Sequence, residues 1–222
     1  VRLRPRCRVA LFALILGKKG ISAVFYGAKD RFARFAVSKY SCLAGKEAVM
    51  AQQQQEKLRI IPLGGVDEFG KNITVVEYGE DMLVVDCGSI FPKEDMLGVD
   101  LVIPDVTYLI QNKDRIRGML LTHGHEDHIG ATPYVLRQVP MPLYGTKLTL
   151  ALVDLKLKEH RIAGIPLNVI KPRDELDLGC FHVKFIHVNH SIAGAVAIAI
   201  TCPAGTIVFS GDFKVDFTPI DG

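Results

Sequence analysis

The stretch Gly118-Met119-Leu120-Leu121-Thr122-His123-Gly124-His125-Glu126-Asp127-His128-Ile129-Gly130 decides how this chain is read. Its opening is a continuous apolar run, the pattern of a strand covered on both faces. The remainder places four metal-binding side chains, His123, His125, Asp127 and His128, within six residues. His123 and His125 are two apart, so in extended backbone both project to the same side. Asp127 and His128 fall where a following helix begins and turn toward a neighbouring position. Such a set can serve two adjacent cations rather than one. Imidazole and carboxylate without thiolate suit Zn2+ or Mn2+, with Zn2+ the better match for a His-rich set. Polar clusters at strand ends are often only solvated turns. That reading fits a lone histidine far better than H-x-H-x-D-H at the end of a buried strand.

Working outward, Leu58–Pro62, Ile73–Tyr78 and Met82–Asp86 are short β-rich runs, and the loop Gly64–Asn72 separates the first two. They predict an antiparallel start to a sheet. Helical spacing covers Ile129–Val139 and Leu148–His160, with Pro140 and Pro142 breaking the chain between them. Phe181–Val188 alternates as a half-buried strand, and Ala195–Thr201 and Thr206–Ser210 add two more. The sum is an α/β protein with more strands than helices. Two further candidate ligands close strands: His190 after Phe181–Val188, and Asp212 after Thr206–Ser210. Ligands gathered at the carboxyl ends of several strands are what an α/β crevice requires.

The net charge of +3 hides an asymmetry. Residues 1–49 hold eleven Lys/Arg against Asp30 and Glu47, whereas residues 50–222 hold 16 basic and 22 acidic residues. A boundary near residue 50, at Met50-Ala51 and the four glutamines that follow, is the simplest account. The basic segment admits three readings: a signal peptide, with Arg2 to Arg8 ahead of Val9–Leu16; an organelle transit peptide; or sequence upstream of a start at Met50. No function is assigned to it. The five cysteines are scattered and include no C-x-x-C pair, which excludes a Cys-type zinc site and fits a reducing cytoplasm. No apolar run reaches the length of about 18 residues expected of a membrane span.

Four segments in order carry a resemblance: Leu63-Gly64-Gly65 through Gly70-Lys71-Asn72, His123 to Gly130, Asn189-His190-Ser191-Ile192, and Gly211-Asp212-Phe213-Lys214. Together they resemble the ribonuclease J family, in the β-CASP branch of the metallo-β-lactamase superfamily, over about residues 57–222. The resemblance implies an αβ/βα sandwich of which this chain holds the first half. It implies that the β-CASP insert, the remaining sandwich and a last ligand histidine lie beyond Gly222. It further implies that His123, His125 and His190 hold one metal, that Asp127 and His128 hold a second, and that Asp212 bridges. Asp127, His128 and Asp212 would then be the catalytic residues. The expected activity is cleavage of RNA phosphodiesters by hydroxide activated between two zinc ions, both from the 5′ end and internally, in a cytoplasmic homo-oligomer. Ala193-Gly194 stands where the family has Pro-Asp, which predicts a looser hold on His190.

Other groups are read as structural. His160, His182 and His187 are surface or packed histidines, Cys87 is a buried small hydrophobe, and Asp86 caps a turn or supports a ligand. Glu68 and Lys71 admit two readings, a solvated turn or an approach to the metals or a phosphate, and Lys156, Lys158, Arg161, Lys171 and Arg173 fit an ordinary solvated face better than a grip on a phosphate backbone. No aromatic platform for stacking single-stranded RNA stands out. Half a sandwich is expected to leave an apolar sheet face uncovered and the isolated chain poorly stable. Two other functions fit the same motifs: a small-molecule hydrolase of the superfamily, and a non-catalytic RNA-binding subunit.

Overall fold

The computed structural model describes residues 56–216, and the strand positions 11–17 and 20–26. The remaining basic N-terminal positions and the last six residues lie outside that description.

Two six-stranded sheets stack face to face, with helices on the outer side of one of them. The first sheet begins antiparallel, with β3 (Arg59–Gly64), β4 (Ile73–Tyr78) and β5 (Asp81–Val85), as expected. It continues parallel through β6 (Ile116–Leu120), β7 (Leu143–Gly145) and β8 (Leu167–Val169). The crossovers carry α1 (Thr107–Gln111), α2 (Glu126–Ile129), α3 (Thr132–Gln138) and α4 (Lys147–Glu159). The second sheet is antiparallel throughout. It is built of β9 (Glu175–Leu178), β10 (Phe181–His187), β11 (Val196–Cys202) and β12 (Gly205–Phe209). Its far edge is a hairpin of β1 (Leu11–Gly17) and β2 (Gly20–Tyr26), with β1 paired to β12.

Alternation along the strands produces two cores. Ile73, Val75, Met82, Val84, Met119 and Leu121 face the helices and pack with Val135, Leu150, Val153 and Leu157. The last three sit at i, i+3 and i+7 of α4, one stripe of that helix. The intervening residues Val76, Leu83, Val85 and Leu120 face the second sheet. They meet Phe181, Val183, Phe185, Ile198, Ile207 and Phe209 there. The unbroken apolar run ending at Leu121 therefore belongs to a central strand buried on both sides, which hydrophobic burial alone accounts for.

Two expectations need correction. One helix over Ile129–Val139 is instead two short ones, broken at Gly130-Ala131 and starting earlier, at Glu126. The helix-free face of the second sheet is mixed over the described side chains: it presents His182, Lys184, Thr201 and Thr206 beside Ile186, Ala197, Ala199 and Val208, and Lys184 and His182 pair there with Glu175 and Asp177. The apolar faces of the two sheets cover each other.

Candidate metal centre

The site assembles where β6, β10 and β12 end. β6 delivers Thr122 and His123 into a gap between the sheets, bridged by the Val196 N–H donating to the Thr122 carbonyl at 2.9 Å. The turn holding His190 and the one holding Asp212 are tied by the Lys214 N–H donating to the Asn189 carbonyl at 2.7 Å. His123, His125, His128, His190 and Asp212 are thereby brought together from positions spread over ninety residues of chain.

Two donor sets result, one of His123, His125 and His190, the other of His123, His128 and Asp212. In the first, His125 Nδ1 lies 3.1 Å from both His123 Nε2 and His190 Nε2. Three ring nitrogens meeting this closely resemble one face of a tetrahedron. Zinc–nitrogen bonds of about 2.0–2.1 Å place tetrahedral ligands roughly 3.3 Å apart. Asp212 belongs to the second set and also approaches the first, with Oδ1 3.5 Å from His128 Nε2 and Oδ2 3.8 Å from His190 Nε2. Its Oδ1 is buried and makes no hydrogen bond among the described residues. Apart from the longer ion-pair contact with His128 it is left without a hydrogen bond, which is costly for a buried carboxylate oxygen, and a cation held by the second set would offset that cost. Asp127 is placed more peripherally, with Oδ2 3.7 Å from His128 Nε2. The residues fit a metal centre.

Supporting groups orient these side chains. Asp86 Oδ2 lies 2.8 Å from His128 Nδ1, while its Oδ1 accepts from the Thr122 N–H at 2.8 Å. With Nδ1 engaged, His128 turns Nε2 toward Asp212, the usual way a carboxylate fixes an imidazole for a metal. This is the ligand-supporting role read for Asp86. The Thr146 hydroxyl donates to the Gly194 carbonyl at 2.8 Å, tying the turn after His190 to the start of α4. Gly194 has φ +75, and a Cβ there would lie 2.9 Å from that hydroxyl oxygen. Asn72 was missed as a contributor: its N–H and its side-chain amide both donate to the Asp127 carbonyl, and its Nδ2 lies 3.1 Å from His128 Nε2.

The electrostatics separate the histidines. Burial holds the His123 pKa well below the ordinary imidazole value, and a charged His128 adds to this. His190 is lowered for the same first reason. Burial also works against charge on His128, but the Asp86 and Asp212 carboxylates outweigh it and push the pKa up to about 10. Asp212 answers in kind: burial opposes its charge, and His128 above all keeps its pKa low. Neutral His123 and His190 offer free lone pairs to a cation, whereas His128 gives up a proton on binding one.

Several other residues read as structural take partners outside the donor sets. His160 stacks edge-on against Tyr134, and His182 pairs with Asp177 and Glu175. Lys71 pairs with Glu68, Lys156 with Glu126, and Lys158 with Asp154. Cys87 is fully buried, and burial raises its thiol pKa. One reading is corrected: exposed aromatic rings do border the site, Phe69 and Phe91. They are distant in sequence, and no local pattern joins them.

The strand ends of this sandwich converge on histidines and a carboxylate that suit a metal site, and residues 66–217 match the family model of the Metallo-beta-lactamase superfamily. The chain belongs to that superfamily. Within it, the chain is 44% identical over 174 residues to Ribonuclease J of Helicobacter pylori, covering 78% of this chain and 25% of that protein. It is 48% identical over 172 residues to Ribonuclease J of Synechocystis sp., covering 76% and 27%. With Ribonuclease J2 of Bacillus subtilis the figures are 43% over 171 residues, 77% and 31%. The chain thus spans a quarter to a third of the length of these relatives. A crystal structure of a protein of unknown function from Enterococcus faecalis shares the fold, with TM-score 0.55, 19% identity, and 71% of this chain and 44% of that one covered. Among the described residues no helix is long and apolar enough to cross a membrane.

Proposed function

We propose that this chain carries the metal-binding core of a ribonuclease that hydrolyses RNA phosphodiester bonds. The observation that supports it most is the pair of donor sets sharing His123, the second of which includes Asp212 with a buried oxygen that makes no hydrogen bond among the described residues. Similarity to Ribonuclease J points the chemistry toward RNA. In this reading His123, His125 and His190 hold one Zn2+, Asp127 and His128 a second, and Asp212 bridges; Mn2+ is the alternative ion. Two such cations acidify a water and neutralise charge on phosphoryl oxygens. The chain's own residues do the positioning. Asp86 fixes the His128 ring, Asn72 holds the Asp127 turn, and Thr146 steadies the loop after His190. The reading includes cleavage from the 5′ end and internally, a cytoplasmic setting that suits the free Cys87, Cys180 and Cys202, and a homo-oligomer.

Metal analysis and cleavage of a 5′-monophosphorylated RNA test it together. About two metals per chain are expected, with cleavage abolished and metal content lowered by His125→Ala. Turnover of small esters alone would assign the site to a small-molecule hydrolase. RNA binding with little metal and no cleavage would make it a non-catalytic subunit.

A further inference from the structure

Beside the histidines the surface opens into a cleft of about 280 Å³. His125, Glu126 and Asp127 form one wall, and Ser89 with the rings of Phe69 and Phe91 forms the others. Those rings are 70% and 71% exposed, more than any other phenylalanine among the described residues. Single exposed apolar side chains are ordinary. Here, however, backbone contacts hold the two together. Gly70, with φ +83, lies against the second loop so closely that a Cβ would sit 3.1 Å from the Ser89 carbonyl oxygen. The Lys71 N–H points at that same carbonyl at 3.4 Å, and the Ser89 N–H donates to the Glu126 carbonyl at 3.0 Å. Ile90, next to Phe91, is clamped by reciprocal hydrogen bonds with Val102 at 3.0 and 2.9 Å. The loops bearing Phe69 and Phe91 are therefore fastened to each other and to the turn that carries Asp127.

We propose that Phe69 and Phe91 form a stacking subsite for a nucleobase next to the phosphodiester held at the metal centre. The inference rests on the ribonuclease reading and names how that site grips its substrate. Because the cleft is continuous with His125 and Asp127, its occupant is attached directly to the reacting phosphate. Glu126 and Asp127 repel a second phosphate there, and Lys156 and Lys71 are already paired with Glu126 and Glu68. A flat, uncharged, π-faced group is what the lining accepts. The volume, about 280 Å³, lies just under the roughly 300 Å³ at which ligand pockets begin, so it suits one base rather than a run of them. Stacking also tolerates every base, and this subsite reads no sequence.

The test uses the metal-loaded protein and single-stranded, 5′-monophosphorylated RNA carrying 2-aminopurine at either nucleotide flanking the scissile phosphate, with matched RNA abasic at that position. Binding should quench the 2-aminopurine. Phe69→Ala and Phe91→Ala should each weaken binding about tenfold, within the range stacking supplies per base, with kcat changed less than KM. Phe69→Tyr and Phe91→Tyr should retain tight binding. Abasic RNA should bind the unaltered protein and the alanine variants alike. Alanine variants with intact metal content and melting temperature that bind 2-aminopurine RNA as tightly as the parent overturn the proposal. So does an equal loss on intact and abasic RNA. In either case RNA cleavage by the parent leaves the ribonuclease reading standing. A metal-loaded parent that cleaves no RNA overturns both.

Discussion

Asp86 sits at φ +60, a left-handed conformation uncommon for residues other than glycine, asparagine and aspartate. It is held there by its own backbone N–H donating to the Leu120 carbonyl at 2.9 Å and by its side chain on Thr122 and His128. Asp86→Asn preserves that backbone and removes the charge behind His128. Metal affinity should fall by roughly 10- to 100-fold, read by titration against a competing chelator; unchanged affinity would refute the orienting role. A second single-residue test concerns Gly88, where a Cβ would fall 1.6 Å from the Asp127 carbonyl oxygen. Gly88→Ala must push the Asp127 turn away from Asn72, and by analogy with overpacked cores should cost about 1–3 kcal/mol in urea unfolding and lower metal content as well. At this scale the sequence was uneven. His123, His125, Asp127 and His128 were legible because they are contiguous and their spacing has one geometric meaning. Asn72 was not, because a single amide in a loop has no spacing to interpret, and only the fold lays it against His128.

Among elements, β4 is fastened through Glu77 to α1 and to the turn that leads into β6. Tyr108 donates to Glu77 at 2.6 Å, Arg115 at 2.7 Å and Arg59 at 3.3 Å. Burial opposes the Glu77 charge, but Tyr108 and Arg115, with Arg59 adding, hold its pKa below the usual carboxylate range. An unfolded chain regains the ordinary value of 4.5 and so takes up the proton first as pH falls. The stabilisation is therefore complete above that value and lost as pH drops through the lower folded pKa. Glu77→Gln should cost about 2 kcal/mol at pH 7 and shrink the acid-side decline in melting temperature; an unchanged pH profile would count against the pairing. The long strands β4, β6, β10, β11 and β12 were legible because each has enough residues for an apolar run or an alternation to show. β7, β8 and β9 were not, since three or four residues cannot display a period. The start of α2 was legible to within a residue from the ligand run, since Asp127 and His128 fall where a helix begins, although the apolar rhythm starts only at Ile129.

For the molecule as a whole, the two sheets are bound by their shared apolar layer and, at one end, by the cluster of histidines and Asp212. On the proposed ligand set, a bound cation stabilises only the folded chain. Stripping the metal with a chelator should lower the melting temperature by roughly 5–10 °C, the shift expected when free metal stands near 100 times its Kd. A chelator-insensitive melting curve would oppose the two-set centre. Asp212 is also the last of these groups to leave the ribosome, following His123 by 89 residues. A nascent chain that has emerged only through β10 already carries His123, His125 and His128, but neither His190 nor Asp212. Synthesis itself thus withholds the first donor set until the turn after β10 has been made, and the second until the turn after β12.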